Sequence, residues 1–234
     1  MPIRMLGSFD YALWLISFLA EVSVVVWAVR RGDFFRYLTL NIYVLGLAAD
    51  TVIRYVVYKT YGVSSTQYAY CYYYTDALLT VVMFGAIISL YSHAFRESKV
   101  PEYIRILAFV SLAATAAYSL LVIQQKRQLL ATDFAAEFSA NLYFVGMVLT
   151  YVLWTIVLRR RHARTRLVLI VTAFGVFFAG HTVTYGLHSF FPSVAAWQYI
   201  PPLLGTWLPL SLAYTFARVS DQDRMPVAAV AGVS

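Results

Sequence analysis

Long apolar stretches separated by short polar breaks run along most of the chain. Each stretch holds about 20 residues or more, enough for an α-helix to cross the hydrocarbon core of a bilayer. The pattern predicts seven helices, at about 9–29, 35–58, 67–92, 102–124, 136–158, 166–189 and 196–218. Because the breaks are short, we expect an all-α seven-transmembrane-helix bundle in which consecutive helices are antiparallel neighbours.

Composition supports a polytopic membrane protein. Of the 234 residues, 61% are hydrophobic and 12% are charged, whereas a soluble domain carries roughly 25% charged residues. The helices occupy most of the chain, so we expect one transmembrane domain over 1–220 and a flexible cytoplasmic tail over 221–234. The N-terminal residues lead directly into a full-length helix that no small-residue cleavage site follows, so we expect the first helix to act as its own targeting signal.

Lysine and arginine are distributed unevenly between the two ends of the predicted bundle. Four lie at the end that holds the N-terminus: Arg4, Lys59, Lys126 and Arg127. Thirteen lie at the other end: Arg30, Arg31, Arg36, Arg96, Lys99, Arg105, Arg159, Arg160, Arg161, Arg164, Arg166, Arg218 and Arg224. Because basic residues are enriched in cytoplasmic loops, the N-terminus is predicted outside and the C-terminus in the cytoplasm.

Five ionisable side chains lie within the apolar stretches: Glu21, Asp50, Arg54, Asp76 and His181. Such residues cost roughly 2.5–3.5 kcal/mol at a helix centre, so they are candidates for function. All but Glu21 fall in the predicted outer half of the bundle. Asp50 and Arg54 are four residues apart and suit a salt bridge. Asp76 is predicted to be a second partner for the same guanidinium.

Tyrosines extend this set of polar side chains. Tyr72 and Tyr73 share the Asp76 face of helix 3, and Tyr185 lies beside His181 on helix 6. If these faces point inward, they line a ligand pocket that opens outward. Its candidate residues are Asp50, Arg54, Tyr72, Tyr73, Asp76, His181 and Tyr185. The alternative is structural: the ionisable groups of helices 2 and 3 would only hold those two helices together.

Two further features lie on helices 1 and 7. Glu21 is a buried ionisable residue for which the sequence offers only Asn41 or Asn141 as partners at a similar depth. Helix 7 contains Gly205 and Pro209, which are candidate hinge residues because a mid-helix proline frees a backbone carbonyl and kinks the helix. A gating hinge and an ordinary structural kink both fit this pattern.

Several kinds of chemistry lack the residues that they need. The lysines Lys59, Lys99 and Lys126 all lie at helix ends or in loops, which excludes a covalent retinal pigment. Cys71 is the only cysteine, so neither an intrachain disulfide nor a CxxC metal site can form. No nucleophile–base pair or metal-ligand set is evident. The sequence therefore predicts no enzyme, no cofactor and no metal site.

Two segments carry a resemblance to known proteins. "FFRYLTLNIYVLGLAADTVIRYVVY" and the following "YAYCYYYTDALLTVVMFGAIISLYSHAF" resemble a group of uncharacterised small bacterial membrane proteins with seven spans and a tyrosine-rich third span. The resemblance covers mainly helices 1–3. It implies the seven-span topology and a location in the cytoplasmic (inner) membrane of a bacterium. It implies no activity and no functional residue.

Three functions follow from the sequence. The first is a receptor-like or sensory protein that binds a small molecule from outside and signals through a cytoplasmic or membrane protein partner, which could dock at "LRRRHARTR". That run also fits a plain topology signal in contact with anionic lipid. The second is a transporter or channel for a small solute or proton, and the third is an accessory or assembly subunit. The expected surroundings are the lipid bilayer, and nucleic acid is not an expected partner.

Overall fold

The computed structural model describes residues 8–95, 100–125, 131–159, 164–191, 197, 199–220 and 222–224. These residues form seven α-helices: α1 (Ser8–Arg30), α2 (Leu38–Tyr61), α3 (Thr66–Ala94), α4 (Val100–Gln125), α5 (Ala131–Leu158), α6 (Thr165–Phe190) and α7 (Ile200–Arg218). Within the described residues, the extended structure amounts to an isolated antiparallel bridge between Arg164 and Arg224. The predicted all-helical class is confirmed for this part of the chain.

The starts of α5 and α7 differ most from the predicted ones. α5 begins at Ala131 rather than near 136, and Asp133 lies in its first turn, where the helix dipole favours a carboxylate. α7 begins at Ile200 rather than near 196, and Pro201 and Pro202 follow at once. Proline suits the first turn of a helix because the backbone N–H that it lacks would have no partner there.

α2 is displaced by three residues at both ends relative to the prediction. It begins at Leu38, because the residues before it form a turn in which the Tyr37 N–H donates to the Asp33 carbonyl at 3.1 Å. It ends at Tyr61, and Gly62 follows with a φ of 80°. Glycine adopts this left-handed conformation without the steric cost that a Cβ would bring.

Among the described residues, five helices are long and apolar enough to cross a membrane: Tyr11–Arg30, Leu38–Tyr61, Thr66–Ala94, Thr132–Leu158 and Thr165–His188. In α4 the apolar part is shorter, Phe109–Gln124. Large apolar side chains cover the outside of the bundle, as expected where the neighbour is lipid. Phe109, for example, is 73% exposed.

Six helices form a closed ring in the order α1, α2, α3, α5, α6 and α7, and α7 packs back onto α1. α4 lies outside this ring, against α5 and α3. Consecutive helices are therefore neighbours along the whole bundle, as predicted, but the sequence did not indicate that α4 would lie outside the ring. The reason is that α3 packs directly on α5, where Phe84 meets Phe138 and Leu142 in a buried cluster. α4 adds only partly buried residues such as Leu112 and Ala116 to that cluster.

One half of the ring is filled by a continuous apolar core. We call this the packed half, and it contains the ends of α1, α3, α5 and α7 and the starts of α2 and α6. Every ring helix contributes to it; representative members are Val24, Leu40, Ile87, Leu153, Phe174 and Phe216. These side chains are each at most 2% exposed. We call the opposite half the cavity half.

Two arginines bind the end of α7 in the packed half. Arg166 of α6 is 1% exposed, forms an ion pair with Asp33 of the α1–α2 turn and donates two hydrogen bonds to the Val219 carbonyl. Arg31 donates to the same carbonyl at 3.0 Å and to the Ala217 carbonyl. We call these five residues the arginine clamp. It satisfies carbonyls that the end of a helix leaves without partners.

The first residues of the predicted flexible tail are attached to the bundle. The Thr165 N–H donates to the Asp223 carbonyl at 3.1 Å, and Arg164 bridges Arg224. The Asp223 carboxylate also accepts from the Ser220 N–H at 2.7 Å. The prediction of a flexible tail from residue 221 is therefore too broad at 222–224, where a small acidic residue forms a local turn. Residues 225–234 lie outside the described residues.

Candidate functional site

A cavity of about 340 Å³ lies inside the ring in the cavity half, which contains the starts of α1, α3 and α7 and the ends of α2 and α6. All six ring helices contribute to its wall, and no described residue of α4 does. Along α3 the wall runs from Tyr68 to Met83, roughly 22 Å of helix. At the floor, Tyr43, Met83 and Leu208 belong to the apolar core of the packed half. The cavity is therefore closed at that end.

Arg54 and its partners form one side of the cavity. The Nε atom of Arg54 donates to the Asp50 carboxylate at 2.8 Å, which is the ion pair that the four-residue spacing predicts. The guanidinium also donates to the Thr75 hydroxyl of α3 at 3.0 Å, and its Cζ atom lies 4.3 Å from the centre of the Tyr72 ring. This group of residues does hold α2 against α3. Asp50, Arg54 and Tyr72 also line the cavity, so the two alternatives drawn from the sequence are both compatible with the position of this group.

Asp76 is not the second ion-pair partner of Arg54. The guanidinium reaches Thr75 instead, and Asp76 lies beyond ion-pair distance from it among the described residues. One turn further along α3 than Tyr72, the Asp76 carboxylate lines the cavity and accepts from the Tyr143 hydroxyl of α5 at 3.4 Å. The prediction was wrong because the rotation of α3 about its axis directs Thr75, rather than Asp76, toward α2.

Glu21 lies on the same cavity wall. The sequence had predicted a different depth for Glu21 than for the other ionisable groups. Glu21 is 3% exposed and accepts from the Ser17 hydroxyl at 3.0 Å and from the Thr51 hydroxyl at 3.5 Å. The two asparagines offered by the sequence have other partners. Asn41 donates to the Phe34 carbonyl, and Asn141 donates to Ser119.

His181 lines the cavity from α6 and is 9% exposed. Its ring stacks on that of Tyr143, with centroids 4.7 Å apart, and packs against Phe177 at 4.5 Å. Its Nε2 atom is buried and has no hydrogen-bond partner among the described residues. Because a buried polar atom without a partner is costly, this atom is suited to bind a molecule that fills the cavity.

Two of the predicted pocket tyrosines lie behind the wall rather than on it. Tyr73 packs edge-on against Tyr72 at 5.5 Å, and Tyr185 stacks on Tyr143 at 6.0 Å while remaining 43% exposed. Neither lines the cavity. Both support rings that do, so the tyrosines of the sequence pattern divide into a lining set and a supporting set.

The two hinge candidates of α7 lie on either side of the level at which the cavity ends. Gly205 faces the cavity, and an added Cβ would meet no atom within 4 Å. Pro209 lies one turn further along and is buried in the packed half, next to Leu208 and Leu212. The change from open space to close packing therefore occurs within one turn of α7.

Sequence reasoning missed three polar residues of the site. Tyr143 was overlooked because its contacts with Asp76 and His181 come from α3 and α6, which the pattern along α5 does not show. Ser17 and Thr75 had a usable signal: Ser17 lies four residues before Glu21, and Thr75 lies three residues after Tyr72, whose carbonyl accepts from it. Side chains at these spacings share a helix face.

No protein-family model, curated protein or solved structure matches this chain. Among the described residues, no group of three or more His, Cys, Asp or Glu side chains is arranged to hold a metal ion. The interpretation of the site therefore depends on its own geometry.

Proposed function

We propose that the chain is a seven-span protein of the cytoplasmic (inner) membrane of a bacterium, with its N-terminus outside and its C-terminus in the cytoplasm. The basic side chains support this orientation, since Arg31 and Arg166 of the clamp, together with Arg218, lie at the packed end. Lys59 lies at the other end, where α2 finishes. In this orientation the cavity half faces outward and the packed half faces the cytoplasm.

Thiol labelling tests this orientation. In a Cys71→Ser background, a cysteine is introduced either at Ser64, which is exposed between α2 and α3, or at Gln222, which is exposed after α7. A membrane-impermeant maleimide added to intact cells should label Ser64→Cys and leave Gln222→Cys unlabelled until the cells are lysed. The reverse labelling pattern would overturn the proposed orientation.

We propose that the protein is a receptor-like sensory module that binds a small molecule in the cavity. One observation carries this proposal: the cavity is lined by polar and aromatic side chains of six helices and ends on a continuous apolar core. Ligand sites in helical bundles are built in this way, with a concave apolar surface and a few converging polar groups. A closed floor fits binding better than passage through a permanent pore.

α7 supplies a path from the cavity to the cytoplasmic end. Gly205 lines the cavity, and Val219 accepts hydrogen bonds from both arginines of the clamp. Roughly 21 Å of one helix joins the two positions. A ligand that displaces the start of α7 would change the geometry of the clamp, and a partner protein could read that change at the arginine-rich surface.

A tethered group in the cavity tests this coupling without a known ligand. Gly205→Cys in the Cys71→Ser background places a thiol where the wall has open space. The protein in lipid nanodiscs is treated with a methanethiosulfonate that carries a trimethylammonium group, and amide hydrogen exchange is measured. We expect fast modification and altered exchange at residues 219–224 and at the start of α6.

The matched control is Ser64→Cys, which can be modified to the same extent outside the cavity. It should leave exchange at residues 219–224 unchanged. A cavity thiol that the reagent cannot reach, or a modified cavity with unchanged exchange at the clamp, would overturn the sensory function.

Transport is the second candidate, and one specific observation favours it. Glu21, Asp50 and Asp76 occupy three different helices around one cavity, and Pro209 interrupts α7 just below its floor. A carboxyl group could carry a proton or a cation there while α7 bends. Purified protein in liposomes would then produce a flux that Asp76→Asn abolishes. The sensory function predicts binding without flux under an imposed proton or solute gradient.

A further inference from the structure

We propose that the cavity selects a small organic cation, a protonated amine that carries an apolar body. This inference rests on the proposed ligand-binding function and names the class of ligand. It is argued from the charges on the wall, the rings that face the cavity, the unsatisfied histidine nitrogen and the size of the enclosed space.

The charges on the wall are unequal. Among the described residues, three carboxyl groups line the cavity, on Glu21, Asp50 and Asp76, against the single guanidinium of Arg54. Asp50 is engaged by that guanidinium at 2.8 Å. Glu21 and Asp76 have hydroxyl partners but no ion pair. A ligand ammonium would supply the positive charge that two of the three carboxyl groups lack, and burying a charge is favourable only when it is paired in this way.

Aromatic rings surround the same space. Trp14, Tyr68, Tyr72 and Tyr143 contribute to the cavity wall from three helices. A cation above such a ring gains about 0.5–2 kcal/mol from the negative face of the π system. The protein already uses this interaction in the cavity, since the Arg54 guanidinium lies over the Tyr72 ring. An anion would instead find the one guanidinium of the described wall already paired with Asp50, and it would lie near carboxyl groups that offer it no positive charge.

The histidine adds a requirement for hydrogen bonding. The Nε2 atom of His181 is buried on the wall and has no hydrogen-bond partner in the described part of the chain. The Tyr143 ring on which His181 stacks carries the hydroxyl that reaches Asp76. In the tautomer protonated at Nδ1, Nε2 accepts a hydrogen bond. An ammonium N–H could satisfy this nitrogen, whereas a quaternary ammonium has no N–H to offer. A primary amine therefore fits better than its trimethylated analogue.

The remaining wall sets the size and character of the ligand. A volume of about 340 Å³ is near the lower limit for ligand pockets, roughly 300–1,000 Å³. Apolar side chains, including Leu13, Leu47, Leu79 and Phe177, fill the space between the polar groups. A compact amine with one aromatic or branched aliphatic body matches both properties.

Binding to three probes with the same body tests the proposal. We would titrate 2-phenylethylamine, neutral 2-phenylethanol and anionic 3-phenylpropanoate into the full chain in lipid nanodiscs, with the fluorescence of Trp14 and the other tryptophans as the readout. We expect the amine to bind about tenfold or more tightly than the alcohol, because it alone can pair with a buried carboxylate. The carboxylate probe should show no saturable binding, and trimethylation of the amine should weaken its binding.

Variants then locate the effect. Asp76→Asn and Glu21→Gln should each weaken amine binding by a larger factor than alcohol binding, and His181→Phe should remove the preference for the primary over the trimethylated amine. Glu137→Gln is the matched control, since this carboxyl of α5 lies outside the cavity wall and is bonded to Asn141. It should change none of these affinities.

Other results would overturn the inference. Equal affinity for all three probes, preference for the carboxylate, or no binding of any probe would each rule out an amine site. The tethered trimethylammonium experiment distinguishes a failure of the amine site from a failure of the sensory function. A clamp that responds to the tether while no amine binds would reject only the ligand class. Amine binding with amine flux into liposomes would retain the ligand class and reject the sensory function.

Discussion

Two arginines inside the bundle use the same kinds of partner in different ways. Arg54 and Arg166 each contact a carboxylate, a backbone carbonyl and an aromatic ring. Arg54 is paired with Asp50 of its own helix and borders a cavity, with 17% of its side chain exposed. Arg166 joins three separate parts of the chain and is 1% exposed. The comparison indicates that Arg166 holds separate parts of the chain together, whereas Arg54 borders open space inside the bundle.

The largest expected effect is at Arg166. Arg166→Leu removes the ion pair with Asp33 and both hydrogen bonds to the Val219 carbonyl, and it leaves Asp33 with an uncompensated, partly buried charge. We expect the free energy of unfolding to fall by about 3–5 kcal/mol, measured by chemical unfolding in detergent micelles. The double variant Arg166→Leu/Asp33→Leu should recover part of the loss. A single variant as stable as the wild type would remove the distinction between the two arginines.

A smaller loss is expected at Arg54. Arg54→Leu removes a charged hydrogen-bonded group, which costs about 1.5–3 kcal/mol, but the remaining Asp50 carboxylate can be hydrated from the cavity. Arg54→Lys should recover less than half of the loss, since an ammonium cannot reach Asp50 and Thr75 with the geometry of a guanidinium. Unfolding under the same conditions as for Arg166 checks the ranking. A loss at Arg54 larger than that at Arg166 would reverse it.

Two glycines allow the tightly packed contact between α5 and α6 to be compared with the open wall of the cavity. Gly146→Ala places a methyl group against the Phe178 ring, where α5 and α6 are in close contact, and overpacking of this kind costs about 1–3 kcal/mol. Gly205→Ala places the same methyl group in open cavity space. The thermal unfolding midpoint of Gly205→Ala should stay near that of the wild type. Equal losses at both positions would show that the cavity half is as tightly filled as the packed half.

The smallest effect is expected at Asp76. Asp76→Asn keeps the shape of the side chain and can still accept from the Tyr143 hydroxyl, and no ion pair with Arg54 is lost. We expect a change of within about 0.5 kcal/mol in the free energy of unfolding. The matched comparison is the thermal unfolding of Asp50→Asn, a variant that does break an ion pair. A clear fall at Asp76 alone would mean that its carboxylate is part of the structural network.

Local spacing made part of this site predictable. The Asp50–Arg54 pair follows from one turn of a single helix, so no knowledge of neighbouring helices was needed. The contacts of Asp76 depend on how α3 is rotated against α2 and α5, and a sequence pattern does not define that rotation. Tyr143 was missed for the same reason: its role comes from the helix that faces it.

The same distinction holds for the fold. Apolar stretches indicated seven helices, and most ends lie within a few residues of the structure. The exclusion of α4 from the ring was not predictable from loop length, because a short connection places two helices side by side without deciding which of them faces inward. That choice depends on the close packing of Phe84 against Leu142.

If the cavity half faces outward, as proposed, and its cavity is open to water on that side, the cavity also has an electrical consequence. Water at about 30 Å³ per molecule could fill a 340 Å³ space with roughly 11 molecules. Such a conductive inlet brings the outer potential inward, so the membrane voltage falls mainly across the apolar core between Met83 and Phe216. Moving one charge through the full voltage is worth about 2.3 kcal/mol per 100 mV. A cation that stops beside Asp76 would cross only a small part of that field, and its affinity should change little with membrane potential.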